Sequence, residues 1–221
     1  MSGKKRVGVL ISGRGSNLQA LLDAHGQPDY PAQIVRVISN IPDVLGLERA
    51  HKAGVPTAVI PHKNYPDRES FERAVNAQLE ADGVEIVCLA GFMRVLTEYF
   101  VKSWNGRLIN IHPSLLPLFK GLHTHERALE EGVRFAGCTV HFVVPEMDSG
   151  PIIVQAAVPV LPGDTPDLLA ARVLEQEHVV YPLALALVAQ GRTRIEKGIV
   201  HLTGTVPAAS ALVNPKGFAL E

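Results

Sequence analysis

The sequence predicts an α/β fold: a doubly wound, mostly parallel sheet with a mixed edge. Three observations carry that prediction. Short apolar, β-branched runs alternate with stretches of helical spacing, as successive β-α-β units require. The runs are continuous rather than alternating in polarity, as befits strands buried on both faces. After about Pro113 the alternation yields to two strand-like runs close in sequence, which predicts an antiparallel pair.

The first strand reads as Val7–Ile11, followed by a glycine turn and a helix over Asn17–His25. Ile34–Ser39, Thr57–Ile60, Ile86–Ala90 and Leu108–Ile111 continue the strands, with helices at Gly46–Ala53, Arg68–Asp82 and Thr97–Ser103 between them. In Arg68–Asp82 the apolar residues Phe71, Val75 and Leu79 recur every four positions, so one face is buried. Pro113-Ser114-Leu115-Leu116-Pro117 stops the sheet, because its two prolines lack N–H donors. A short helix follows at Glu126–Glu131, then strands at Thr139–Val144 and Ile152–Val160 around the turn Pro145–Pro151. A long helix starts at Thr165-Pro166, with Thr165 as N-cap and Pro166 in the first turn, and runs to about Gln190. Beyond it stand a small hairpin over Arg194–Leu202 and a tail. No repeat or low-complexity linker interrupts the chain, which reads as a single domain over 1–221.

The composition narrows the function classes. The 221 residues carry a formal net charge of -1, which argues against a dedicated nucleic-acid binder with its basic face. The apolar runs fall short of the ~18 residues of a membrane span, and no stretch reads as a signal peptide. Two cysteines, Cys88 and Cys138, suit reduced, buried thiols in a cytoplasmic protein rather than a disulfide framework.

Three segments stand out chemically. Ser12-Gly13-Arg14-Gly15-Ser16-Asn17 joins the first strand to the first helix, where glycines and open N–H groups favour an anion. A third fingerprint glycine is absent, with Leu18 in its place, and no acidic residue ends the second strand. A single phosphate is therefore the expected ligand rather than a dinucleotide. In Asn110-Ile111-His112, if the strand continues to His112, the amide and the imidazole share one face at its carboxyl end, where open α/β sheets bind ligands. Such a pair suits oxyanion stabilisation and proton movement. Met147-Asp148-Ser149-Gly150-Pro151 offers a carboxylate, although its spacing does not show that it faces His112. Glu175, Glu177 and His178 read by default as a solvated helix face with a partly buried histidine.

Six ordered segments extend the pattern over roughly residues 6–190: Ser12–Ala20, Leu89–Arg94, Asn110–Pro117, Gly121–His125, Met147–Pro151 and Glu175–His178. Together they resemble the phosphoribosylglycinamide formyltransferase family, folate-dependent enzymes of purine synthesis. The resemblance implies a Rossmann-like formyltransferase fold, with a phosphate-binding half over about 1–105, a folate-binding and catalytic half over about 106–190, and a tail over 191–221. It implies that Gly15, Ser16, Asn17 and Glu177 hold glycinamide ribonucleotide. Arg68, Met93, Arg94, Val95, Leu96 and Asn110, with Val144, Pro145, Glu146, Met147 and Asp148, would bind 10-formyltetrahydrofolate as co-substrate. Asn110, His112 and Asp148 would be catalytic, with no metal required, and a homodimer is left open. Formyltetrahydrofolate deformylase and a non-catalytic phosphosugar-binding module are the alternatives. A transfer-RNA formyltransferase is disfavoured, since it would need a further RNA-binding domain.

Overall fold

The computed structural model describes residues 3–204, 212 and 214. Strands β1 (Lys5–Ile11), β2 (Ala32–Ser39), β3 (Thr57–Val59), β4 (Ile86–Leu89), β5 (Leu108–His112), β6 (Phe135–Phe142) and β7 (Ile152–Pro159) form one sheet in the order β3-β2-β1-β4-β5-β6-β7. The strands from β3 across to β5 pair in parallel, and β6 and β7 close the other edge antiparallel. This is the mixed, doubly wound sheet that the residue pattern predicts.

Helices α1 (Ser16–His25), α2 (Leu45–Lys52), α3 (Arg68–Ala81), α4 (Glu98–Ser103), α5 (Thr124–Glu130) and α6 (Pro166–Ala189) cover both faces. The alternation of Cβ directions along a strand divides the core in two. Val7, Val9 and Ile11 of β1 pack with residues of α1, α2 and α6, including Leu18, Leu21, Leu47 and Leu185. Leu10 packs with Phe71, Val75 and Leu79 of α3 and Phe100 of α4 on the other face. Gly8 lets α3 come close, since a Cβ there would lie 2.4 Å from Leu79 Cδ2. The strand order reverses beside β1 and β4, so the ligand crevice is expected at their carboxyl ends.

α6 begins as the sequence predicts: Thr165 Oγ1 accepts the Leu168 N–H at 3.3 Å and Pro166 opens the first turn. Buried Tyr181 fastens this helix across the sheet by donating to the Leu89 carbonyl at 2.9 Å. Most boundaries shift by one or two residues from expectation: β1 and β2 start earlier, at Lys5 and Ala32, and β5 runs on to His112. Two larger differences lie near the site. β6 begins at Phe135 rather than Thr139 and leaves the ladder after Phe142, with an irregularity in its pairing with β7 at Val140/His141. α5 begins at Thr124, because His123 adopts the left-handed conformation (φ 57°) and breaks the backbone there. The expected hairpin is present as β8 (Thr193–Glu196) and β9 (Ile199–Leu202). The tail beyond residue 204 lies outside the described residues, apart from 212 and 214. Among the described residues no helix is long and apolar enough to cross a membrane.

Candidate active site

The glycine loop is shaped from below by α2. Gly15 is left-handed (φ 69°) and ends the loop as the N-cap of α1, with no side chain capping the helix. The first-turn N–H groups are thus left for an external acceptor. The Gly46 N–H donates to the Gly13 carbonyl at 3.1 Å, and Arg49 Nε donates to the Arg14 carbonyl at 2.9 Å. A Cβ on Gly15 would stand 2.7 Å from Gly46 Cα, so both glycines are needed for the approach.

Just after this loop, Asn17 in the first turn of α1 reaches α6, where its Nδ2 donates to Glu177 Oε2 at 2.6 Å. Glu177 is buried, which corrects its default reading as part of a solvated face: α6 packs on α1, and that turns residue 177 inward. Burial raises its carboxyl above the ordinary range, with the Asn17 bond opposing the shift. Asn17 Oδ1 is buried without a partner among the described residues, leaving an acceptor for a ligand N–H or O–H.

The second group is assembled by antiparallel register. Asn110 stands opposite His141, and His112 opposite Thr139. The Asn110 Nδ2 and His141 Nε2 atoms are 3.3 Å apart. His141 Nδ1 lies 2.9 Å from the Phe142 carbonyl. A carbonyl only accepts, so His141 carries its proton on Nδ1 and takes the Asn110 amide N–H at Nε2. Burial lowers the affinity of His141 for a second proton, against weaker raising by the Phe142 bond and Asp148. His112 is anchored in the same way: Nε2 donates to the Phe119 carbonyl at 3.0 Å. That leaves Nδ1 beside Asp148 Oδ2, at 3.4 Å.

Asp148 does face His112, which its spacing alone did not show. It sits at φ 48°, a conformation Asp tolerates better than most residues, and Oδ2 also accepts the Gly121 N–H at 2.9 Å. The Gly150-Pro151 frame behind it is close-packed, since a Cβ on Gly150 would lie 1.7 Å from the Phe142 carbonyl oxygen. Thr139 supports the proline loop after His112, donating to the Ser114 carbonyl at 2.7 Å and accepting the Leu116 N–H at 3.1 Å.

A cavity of about 820 Å³ joins the two groups. Its wall includes Asn17, Glu177, Asn110, His112, His141 and Asp148, with the Met93-Arg94-Val95-Leu96 segment, Val144, Pro145 and Met147. Gly15, Ser16, Arg68 and Glu146 are not part of the wall; Arg68 and Glu146 are exposed. Met93, Val95 and Met147 keep 65%, 60% and 61% of their surface exposed, an apolar patch that calls for a ligand with an apolar face. Sequence reasoning missed His141. The available signal was its place two residues after Thr139, on the same strand face, once the register with β5 is known.

Comparison with known proteins identifies the family. The family described as Formyl transferase matches residues 5–185. The Bos taurus trifunctional purine biosynthetic protein adenosine-3 is 55% identical over 87% of the chain. The chain spans about a fifth of that relative, 19% of its length. Phosphoribosylglycinamide formyltransferase of Escherichia coli is 44% identical, covering 96% of this chain and 98% of its own. The crystal structure of glycinamide ribonucleotide transformylase 1 from Symbiobacterium toebii superposes with a TM-score of 0.90 at 48% identity, covering 92% and 96% of the two chains. The chain belongs to the formyl transferase family and, on relatives matched along nearly their whole length, to its phosphoribosylglycinamide formyltransferases.

Proposed function

We propose that the protein transfers the formyl group of 10-formyltetrahydrofolate to the amine of glycinamide ribonucleotide in purine biosynthesis, as a cytoplasmic enzyme. One observation carries this reading above the rest: Asn110, His112 and Asp148 converge in a cavity that Asn17 and Glu177 also line. The loop Gly15-Ser16-Asn17, with open N–H groups at a helix N-terminus, suits the substrate phosphate, and Glu177 the polar ribonucleotide beside it. The apolar rim around Met93, Val95 and Met147 fits the flat face of a reduced pterin. Asn110, His112 and Asp148 offer it polar partners, and Arg68, outside the cavity wall, offers an exposed cation to the part of the folate that projects from it.

The chemistry then follows from the hydrogen-bond inventory. One Asn110 amide N–H is held by His141, which leaves the second to donate to the formyl oxygen as the amine attacks and negative charge develops. His112 Nε2–H is fixed on Phe119, so Nδ1 is the working nitrogen, placed between Asp148 and the cavity. Protonated there, it donates to the same oxygen. Asp148 orients the ring and helps carry the proton lost by the attacking amine to the folate nitrogen that leaves. Holding both substrates in one cavity supplies a further part of the rate by proximity. The half over about 1–105 carries the phosphate loop, Arg68 and the Met93–Leu96 wall, and the half over about 106–190 carries the catalytic group and Glu177, within one domain.

An absorbance assay of 10-formyltetrahydrofolate with and without glycinamide ribonucleotide tests the reading. Ribonucleotide-dependent deformylation that disappears in His112→Ala is expected. Release without any acceptor makes the protein a hydrolase, and no release with intact ribonucleotide binding makes it a binding module.

A further inference from the structure

Residues 91–97 join β4 to α4 without regular structure and supply Met93–Leu96 to the cavity wall. An irregular segment keeps one shape only if its polar groups are held. Here both ends are gripped by buried side chains. At the first end, the Ser12 N–H donates to the Gly91 carbonyl at 3.2 Å and Ser12 Oγ accepts the Met93 N–H at 2.8 Å. The Ser12 hydroxyl in turn donates to Asn40 Oδ1 at 2.6 Å. At the far end, Glu72 of α3 accepts the Thr97 N–H at 2.8 Å and also the Thr97 hydroxyl.

The far grip has a feature that helix stability does not explain. Thr97 is the N-cap of α4, yet its side chain makes no capping bond, although a threonine there ordinarily accepts a first-turn N–H. Its hydroxyl is turned to Glu72 instead. Glu72 is only 2% exposed, and burial raises its carboxyl while the Thr97 bonds and Arg68 oppose the shift. Burying a carboxylate is unfavourable, so its placement needs a compensating use. Arg68 lies four residues before it on the same helix, so α3 presents the exposed cation and holds the wall together.

We propose that Glu72 is a positioning residue for the reduced folate: through Thr97 it fixes Met93–Leu96 as a preformed wall, with Ser12 holding the other end. This rests on the folate-dependent reading above. A preformed wall lowers the ordering cost of binding, so its loss falls on the folate rather than on the ribonucleotide.

Initial rates with each substrate varied in turn, and calorimetric titration with 10-formyltetrahydrofolate alone, test it on wild type, Glu72→Ala, Thr97→Val and Thr97→Ser. Glu72→Ala and Thr97→Val are expected to raise the KM and Kd for the folate about tenfold. The KM for the ribonucleotide should move less than about twofold, and Thr97→Ser should restore the wild-type Kd. If Glu72→Ala does not fold, Thr97→Val carries the test, since it exchanges only the hydroxyl for a methyl group and keeps the backbone N–H bond to Glu72. An unchanged folate Kd in Thr97→Val, or an equal rise in both KM values, overturns the proposal. A wild type that binds folate without transferring its formyl group sinks the proposed function and leaves the Kd comparison to decide Glu72. A wild type that binds no folate sinks both.

Discussion

The loop at residues 13–16 takes its shape from neighbouring residues and from one helix pressed beneath it. Asn110, His112, His141 and Asp148 come from three separate segments and meet only because β5 and β6 pair in one register. The loop offers backbone N–H groups, which side-chain replacement cannot remove; it fails only when the backbone is moved. The β5–β6 group offers side chains whose atoms are each held by a different partner: Phe119 for His112, His141 for Asn110 and Gly121 for Asp148. Steric changes should therefore damage the first region, and loss of single polar atoms the second.

The largest effect is expected in the side-chain region. His112→Ala and Asn110→Ala should each lower kcat by at least ~10²–10³-fold, the usual consequence of losing an oxyanion donor. Near wild-type turnover in either variant would remove the residue from the chemistry. The steric counterpart is Gly46→Ala. Its Cβ would meet Ile11 Cδ1 at 2.5 Å and the Gly13 carbonyl oxygen at 3.0 Å, forcing the glycine loop to shift. The KM for the ribonucleotide should rise by more than ~tenfold, as overpacking at a close approach displaces the backbone. A KM rise confined to the folate would show that the loop does not serve the phosphate.

A smaller effect separates positioning from chemistry. His141→Phe leaves the Asn110 amide without the acceptor that fixes its orientation, and kcat should fall by about tenfold. His141→Gln, which can accept the same N–H, should recover part of that loss. If both variants turn over like wild type, Asn110 is held by something other than His141.

The smallest effect is on stability and concerns the polar link between the two regions. Burial raises the Glu177 carboxyl, so protonation favours the folded state. That contribution is complete below the ordinary carboxyl value of 4.5 and is lost as pH rises through the raised value. Glu177→Gln, neutral at every pH, should therefore melt a few degrees above wild type at neutral pH, and the gap should close below pH 4.5. Calorimetry across that range checks the sign, and a variant less stable at neutral pH contradicts it.

The sequence by itself determined the order of elements, the parallel sheet with its antiparallel edge, the N-cap and proline of α6, and the glycine turn between β1 and α1. Those features depend on periodicity, on glycine and proline stereochemistry, and on residues near each other in the chain. It also put Asn110 and His112 on one face provided the strand runs on to His112, as it does, because Cβ directions alternate. Only the tertiary structure decided that Asp148 meets His112, that His141 orients Asn110, that Glu177 turns inward to Asn17 and that Glu72 holds Thr97. Each of these joins residues distant in the chain, and each depends on strand register or helix packing. A shift of one residue in that register would point the same side chains at the opposite face. Periodicity marks which face is buried, but the register that pairs particular residues across it is fixed only when the whole core packs.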